Sequence, residues 1–144
     1  MQVHKFTDYG LRVLLALAEN QGKEDTKISA TDVAKAHNIS LSHVQKSVNL
    51  LSKEGIIIGQ RGRGGGLSLA LPASEYRLGQ VVATLERDNP VINCGEGGKL
   101  GCAYPPNECK LKYVLVNAQN SFYQSLDQFT LADIVEADIA LFLS

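Results

Sequence analysis

Apolar side chains recur at helical spacing in several stretches of this chain, broken once by a β-branched run and once by a glycine-rich one. Leu11, Leu14, Leu15 and Ala18 predict a helix over 6–20 with those residues inward. Thr7 is placed to cap it, Asp8 sits in its first turn where a carboxylate suits the dipole, and Gly22 can end it. Ser29 followed three residues later by Asp32 is a helix-start signal, and Val33-Ala34-Lys35-Ala36 continues that helix. A turn at His37-Asn38-Ile39 leads to Ser40, which caps a third helix over 41–53. Leu41, Val44, Val48 and Leu51 share one side of it, and Gly55 terminates it.

The pattern then changes period. Ile56-Ile57-Ile58 and Leu67-Ser68-Leu69-Ala70-Leu71 read as two strands joined by a glycine-rich hairpin tip over 59–66. Helix, turn, helix and hairpin in that order is a winged helix-turn-helix. Pro72 breaks the second strand, and Val81, Val82 and Leu85 mark a short helix over 78–86. From Leu111 through Val114, Leu115, Ala118, Phe122, Leu126 and Phe129 a 3-4 spacing predicts a long helix. Its apolar face exceeds what so small a domain can cover, so it should pack against its twin in a two-fold homodimer. Thr130 and Asp133 start a last helix over 131–142, whose Ile134, Val135, Ile139 and Phe142 would face the partner. The expected fold is mainly α with a small β-wing. Residues 1–89 form the DNA-binding domain, 90–109 a cysteine loop, and 110–144 the dimerisation helix with its short terminal helix.

Composition adds little to this until charge is divided along the chain. With 44% hydrophobic and 20% charged residues, the 144-residue chain is an ordinary globular one. It has no membrane-length apolar run and no signal peptide at Met1-Gln2-Val3-His4-Lys5, so a cytoplasmic protein with no membrane partner is expected. The net charge of −1 hides an asymmetry. Residues 35–72 carry Lys35, Lys46, Lys53, Arg61 and Arg63 against Glu54 alone, whereas the part after Tyr76 is acidic on balance. A solvated face gives the same count. Its coincidence with the helix-turn-helix favours double-stranded DNA. The candidate DNA contacts are Ser40, Ser42, His43, Gln45, Lys46 and Asn49 on the second helix of the pair, and Arg61, Arg63 and Gly64 in the wing.

All three cysteines lie in one glycine- and proline-rich loop, at Cys94, Cys102 and Cys109. In a reducing compartment such clustering suggests metal or redox chemistry over a disulfide. Intervals of seven and six residues match neither the close pairs of a zinc finger nor the ferredoxin runs. Three thiolates on one loop can hold three irons of a cubane cluster and leave the fourth iron to a ligand from elsewhere. A non-cysteine ligand there is the weaker one.

Phe6-Thr7-Asp8-Tyr9-Gly10-Leu11-Arg12, the helix-turn-helix, the Gly64-Gly65-Gly66-Leu67-Ser68-Leu69-Ala70 wing and three cysteines before a long helix together resemble the iron–sulfur winged-helix transcription regulators. Asn93-Cys94-Gly95-Glu96-Gly97 and Phe129-Thr130-Leu131-Ala132-Asp133 place the resemblance nearest to that family's nitric-oxide-sensing repressors. It covers essentially the whole chain. It implies a homodimer on operator DNA with one 4Fe–4S cluster per subunit on Cys94, Cys102 and Cys109. It also implies that Asp8 of the other subunit is the fourth ligand and nitric oxide the signal that releases the operator. The cysteine intervals are longer than the family's usual ones. His4, His37, His43, Glu96 and Glu108 are the reserve ligands. A 2Fe–2S redox or iron–sulfur-status sensor using a histidine such as His37 is the alternative. A thiol enzyme is the rival from another class, and it is disfavoured because all three histidines lie in the first 43 residues, so no enzyme is expected.

Overall fold

The computed structural model describes residues 3–23, 27–60, 62, 65–92 and 108–136. Cys94, Cys102, Arg61, Arg63, Gly64 and Glu96 lie outside the described residues, as do Ile139 and Phe142. Helix α1 runs Lys5–Glu19, α2 Ala30–Ala36 and α3 Leu41–Lys53. Strands β1 (Ile57–Gly59) and β2 (Leu67–Leu69) form an antiparallel pair with Ile57 opposite Leu69 and Gly59 opposite Leu67. A 3₁₀ turn at Ala73–Glu75 precedes α4 (Leu78–Glu86), and α5 (Lys110–Leu126) and α6 (Leu131–Glu136) complete the described chain. This mainly helical fold with a two-stranded wing is the one expected.

One core serves all the elements up to α4. Val13, Leu14 and Leu17 of α1 meet Val33 of α2, Val44, Val48 and Leu51 of α3, Ile57 and Leu69 of the hairpin, and Val81 and Leu85 of α4. The inward stripe of α1 lies beside the one expected: Leu11 and Leu15 are half-buried, while Val13 and Leu17 are nearly inaccessible. The helix packs against α3, α4 and α6 together, so its buried arc is wide and centred between the two sets. Thr7 is not the cap. The helix begins earlier, with His4 at the N-cap, and Thr7 occupies the inward face with its hydroxyl buried and without a partner in the described structure. Leu41, expected inside, is 45% exposed at the first position of α3.

The caps that do form explain two helix starts. Ser29 and Asp32 exchange bonds as a capping box at α2, and Thr130 does the same with Asp133 at α6. The Ser29 hydroxyl, and then its amide, hold the Asp32 carboxyl below its ordinary range. The Thr130 amide, and then its hydroxyl, act likewise on Asp133. Helix α4 lacks a side-chain cap of its own, and Asp127 at the end of α5 supplies one, accepting the Gln80 amide at 2.9 Å.

Helix α5 leans on α4 where Gly79 lets the backbones approach; a Cβ at Gly79 would overlap the Tyr123 carbonyl oxygen. The rest of its surface is open. No α5 residue is buried, and Leu111, Tyr113 and Val114 are 60%, 71% and 61% exposed. Of the last-helix residues expected to face a partner, Val135 packs instead on the core of its own chain, while Ile139 and Phe142 lie outside the described residues. Leu131 of α6 is fully buried in that core, with Ala132 packed against it. The cause is a short antiparallel bridge between Arg77 and Thr130: the Leu78 amide donates to the Phe129 carbonyl at 2.9 Å and the Leu131 amide to the Tyr76 carbonyl at 3.1 Å. That bridge draws α6 back onto α1.

Candidate nucleic-acid interface and metal centre

Burial of Val44, Ser47, Val48 and Leu51 decides which way α3 faces. The opposite side therefore carries Ser42, His43, Gln45, Lys46 and Asn49, all exposed. Ser40 stands at the N-cap, but its hydroxyl pairs with that of Ser42 at 2.9 Å and does not cap an amide. Both hydroxyls thus sit together at the N-terminal end of α3. Gln45 Nε2 donates to Asn49 Oδ1 at 3.0 Å, and the His43 ring stacks on Tyr9 of α1 with centroids 5.8 Å apart.

The wing stands beside this helix because its neck is held from two sides. The Leu67 amide donates to the Ile28 carbonyl at 2.7 Å, tying β2 to the segment before α2. The Gln60 amide donates to the Gly66 carbonyl and the Gly65 amide to the Gly62 carbonyl, both at 2.9 Å. Gly62 has φ +103° and Gly65 leaves no room for a Cβ against the Gln60 carbonyl, so this turn demands glycine. Between α2, α3 and the wing lies an open groove of about 410 Å³ lined by Thr31, Gln45, Gln60 and Gly66 among others. The tip residues Arg61, Arg63 and Gly64 lie outside the described residues.

The first turn of α1 is fastened to the helix-turn-helix at three points. Ser47, buried on α3, donates its hydroxyl to the Phe6 carbonyl at 3.1 Å. Tyr9 stacks on His43. Arg12 Nε reaches both carboxylate oxygens of Asp8 at 3.1 Å, while its Nη1 lies 3.3 Å from His37 Nδ1 in the turn before α3. Ser47, Tyr9 and Arg12 were not among the candidates read from the sequence. Only the Asp8–Arg12 spacing of four on a helix carried a readable signal.

The metal candidates divide in the same way. Asp8 projects from α1 with its side chain 45% exposed, half open to solvent despite the Arg12 pair. Cys109 occupies the N-cap of α5, where its Sγ accepts the Lys112 amide at 3.4 Å. Backbone amides aimed at sulfur are characteristic surroundings of cluster thiolates. Cys94 and Cys102 lie outside the described residues. Soft thiolates joined by one carboxylate are a donor set that fits an iron–sulfur centre, and half-buried Cys109 and half-exposed Asp8 leave both donors reachable. Among the described residues no three His, Cys, Asp or Glu side chains come together around a metal position.

The reserve histidines have other partners: His4 pairs with Glu86 at 2.6 Å, His37 with Arg12 and His43 with Tyr9. Glu108 is exposed beside Cys109, and Glu96 lies outside the described residues. Near the foot of the cysteine loop, Val3, His4, Val82, Glu86, Phe122 and Tyr123 are among the residues lining a cavity of about 320 Å³. Burial, and then the Glu86 carboxylate, push the Tyr123 hydroxyl above its ordinary value, against a hydrogen bond with Gln119.

The Rrf2 family model, described as an iron-dependent transcriptional regulator, matches residues 3–137. The HTH-type transcriptional regulator NsrR of Oceanobacillus iheyensis is 35% identical over 136 residues, covering 94% of this chain and 90% of that protein. Among solved structures, Staphylococcus aureus CymR in its oxidised form aligns at 26% identity with a TM-score of 0.68, covering 96% of this chain and 98% of its own. The IscR of T. potens aligns at 21% identity with a TM-score of 0.70, covering 99% and 96%. The second likeness, at that identity, speaks for the fold alone.

Proposed function

The chain belongs to the Rrf2 family of transcriptional regulators, and from that premise we propose that it is a homodimeric, operator-binding repressor whose 4Fe–4S cluster makes binding sensitive to nitric oxide. Cys94, Cys102 and Cys109 of one protomer, with Asp8 of the other, would hold the cluster. When bound, it supplies an iron whose carboxylate ligand is easier to displace than a thiolate, and so a point open to nitric oxide.

The observation that carries the reading is the fastening of α1's first turn to the reading helix. Asp8, Tyr9 and the Phe6 carbonyl belong to that turn, and their partners reach α3 and the turn before it through Arg12, His43 and Ser47. A carboxylate engaged elsewhere leaves Arg12, and Arg12 is the residue beside His37. What happens to Asp8 is therefore felt by the segment that aims α3. The exposed side chains of α3 then meet base edges and phosphates in a major groove, with the wing arginines on the adjacent backbone.

The exposed apolar edge of α5 supports the dimer. Leu111, Val114 and Ala118 share an exposed edge that its own chain does not cover, and a second copy of that edge would bury both. Two heads related in this way suit half-sites about one helical turn of DNA apart. No helix of the described chain is long and apolar enough to cross a membrane.

Iron, sulfide and visible absorbance of the chain isolated without oxygen test the metal half of the reading. About four irons per chain are expected, falling to background in Cys109→Ala. About two irons per chain would replace this reading by the 2Fe–2S sensor, and a colourless protein with one fast-alkylating thiol would replace it by a thiol enzyme.

A further inference from the structure

Gln45 and Asn49 stand one turn apart on α3 and are joined by the bond from Gln45 Nε2 to Asn49 Oδ1, 3.0 Å long. With Val44, Ser47, Val48 and Leu51 buried, Ser42, Lys46 and Asn49 point most directly outward. Gln45 falls on the flank next to the wing, where it lines the groove shared with Thr31, Gln60 and Gly66. The bond to Asn49 draws its amide from that flank onto the outward face.

The bond also decides what the amide presents. One of the two Nε2 protons is given to Asn49, so the other proton and the Oε1 oxygen stay available side by side in one plane. That donor–acceptor pair is the complement of adenine in the major groove, whose N7 accepts and whose N6 amino group donates. Guanine shows two acceptors at the same edge and would leave Oε1 facing its O6. Holding the side chain beforehand reduces the rotamer freedom lost on binding, which sharpens discrimination.

We propose that Gln45 reads one adenine in each operator half-site and that Asn49 is the positioning residue that presets it. The assignment rests on the DNA-reading role of α3 proposed above and adds the base it recognises. The test is selection of bound duplexes from a randomised pool by the full chain purified without oxygen. Competition with single-pair variants of the selected operator follows.

Wild-type protein is expected to lose about 5- to 150-fold in affinity when that A·T pair becomes G·C in one half-site. Gln45→Ala, an exposed helix position where alanine is well tolerated, should bring that ratio to within about twofold of unity. Preferences at every other position should stay. Asn49→Ala should shrink the same ratio, and Asn49→Asp, which keeps the acceptor oxygen, should restore the ratio while lowering overall affinity. If Gln45→Ala keeps every preference of the wild type, the assignment is overturned and the operator-binding reading stands. If the wild-type chain enriches no sequence, both fall.

Discussion

Replacing Arg61 and Arg63 by alanine is expected to flatten the salt dependence of operator binding. The plot of log affinity against log salt should lose about 0.9 per phosphate contact removed, hence about 3.6 for the four arginines of a dimer. At 0.15 M salt that corresponds to a loss on the order of 10²- to 10³-fold, because each neutralised phosphate releases condensed counterions. Leu67 is tied to Ile28, the Gln60–Gly66 and Gly62–Gly65 bonds close the described part of the hairpin, and the two arginines are neighbours of Gly62 in sequence. Titration of a labelled operator across a salt series checks it. An unchanged slope in the double variant would place the wing off the DNA.

Gly79→Ala is expected to destabilise the fold by about 3 kcal/mol, at the upper end of overpacking costs. A Cβ there would overlap the Tyr123 carbonyl oxygen and press on the Asp127 carboxylate, and backbone cannot swing aside as a side chain can. Parting α4 from α5 also breaks the Asp127 cap on the Gln80 amide. Chemical denaturation measures this directly. Gly55→Ala gives a useful contrast: the space beside Gly55 is open, and its φ of +70° makes the cost one of backbone strain, about 1–2 kcal/mol.

How much of this was legible in the sequence depended on whether a signal was local. The capping boxes at Ser29 and Thr130, the α3 bounds and the hairpin between Ile57 and Leu69 follow from short-range chemistry, and the structure repeats them. Thr7 was misread because a capping residue and a buried threonine look alike until the packing partners of α1 are known. Val135 was sent to a partner chain for the same kind of reason: nothing local says that Thr130 will bridge to Arg77 and turn α6 inward. Gly79 carries no pattern in the sequence, since its meaning lies in a helix some forty residues away.

The candidate site divides along the same line. Exposed residues of α3 could be read off as the complement of the buried stripe, because a helix fixes one face once the other is known. The fastening of α1 to α3 could not, since Ser47–Phe6 and Tyr9–His43 are contacts across more than thirty residues of chain. Asp8 shows both sides of this. Its partner Arg12 is visible at a spacing of four, while the closeness of Arg12 to His37 appears only once α2 and its turn are folded against α1.

Operator affinity of the iron-loaded dimer, measured without oxygen before and after a stoichiometric addition of nitric oxide, tests the central claim most directly, with Asp8→Ala run in parallel. The account predicts that nitric oxide weakens wild-type binding by at least about tenfold, within the usual range of coupling between sites. It also predicts that Asp8→Ala binds weakly from the outset and changes little further. Equal affinity of wild-type protein before and after the addition, with its iron content confirmed at the start, would contradict it.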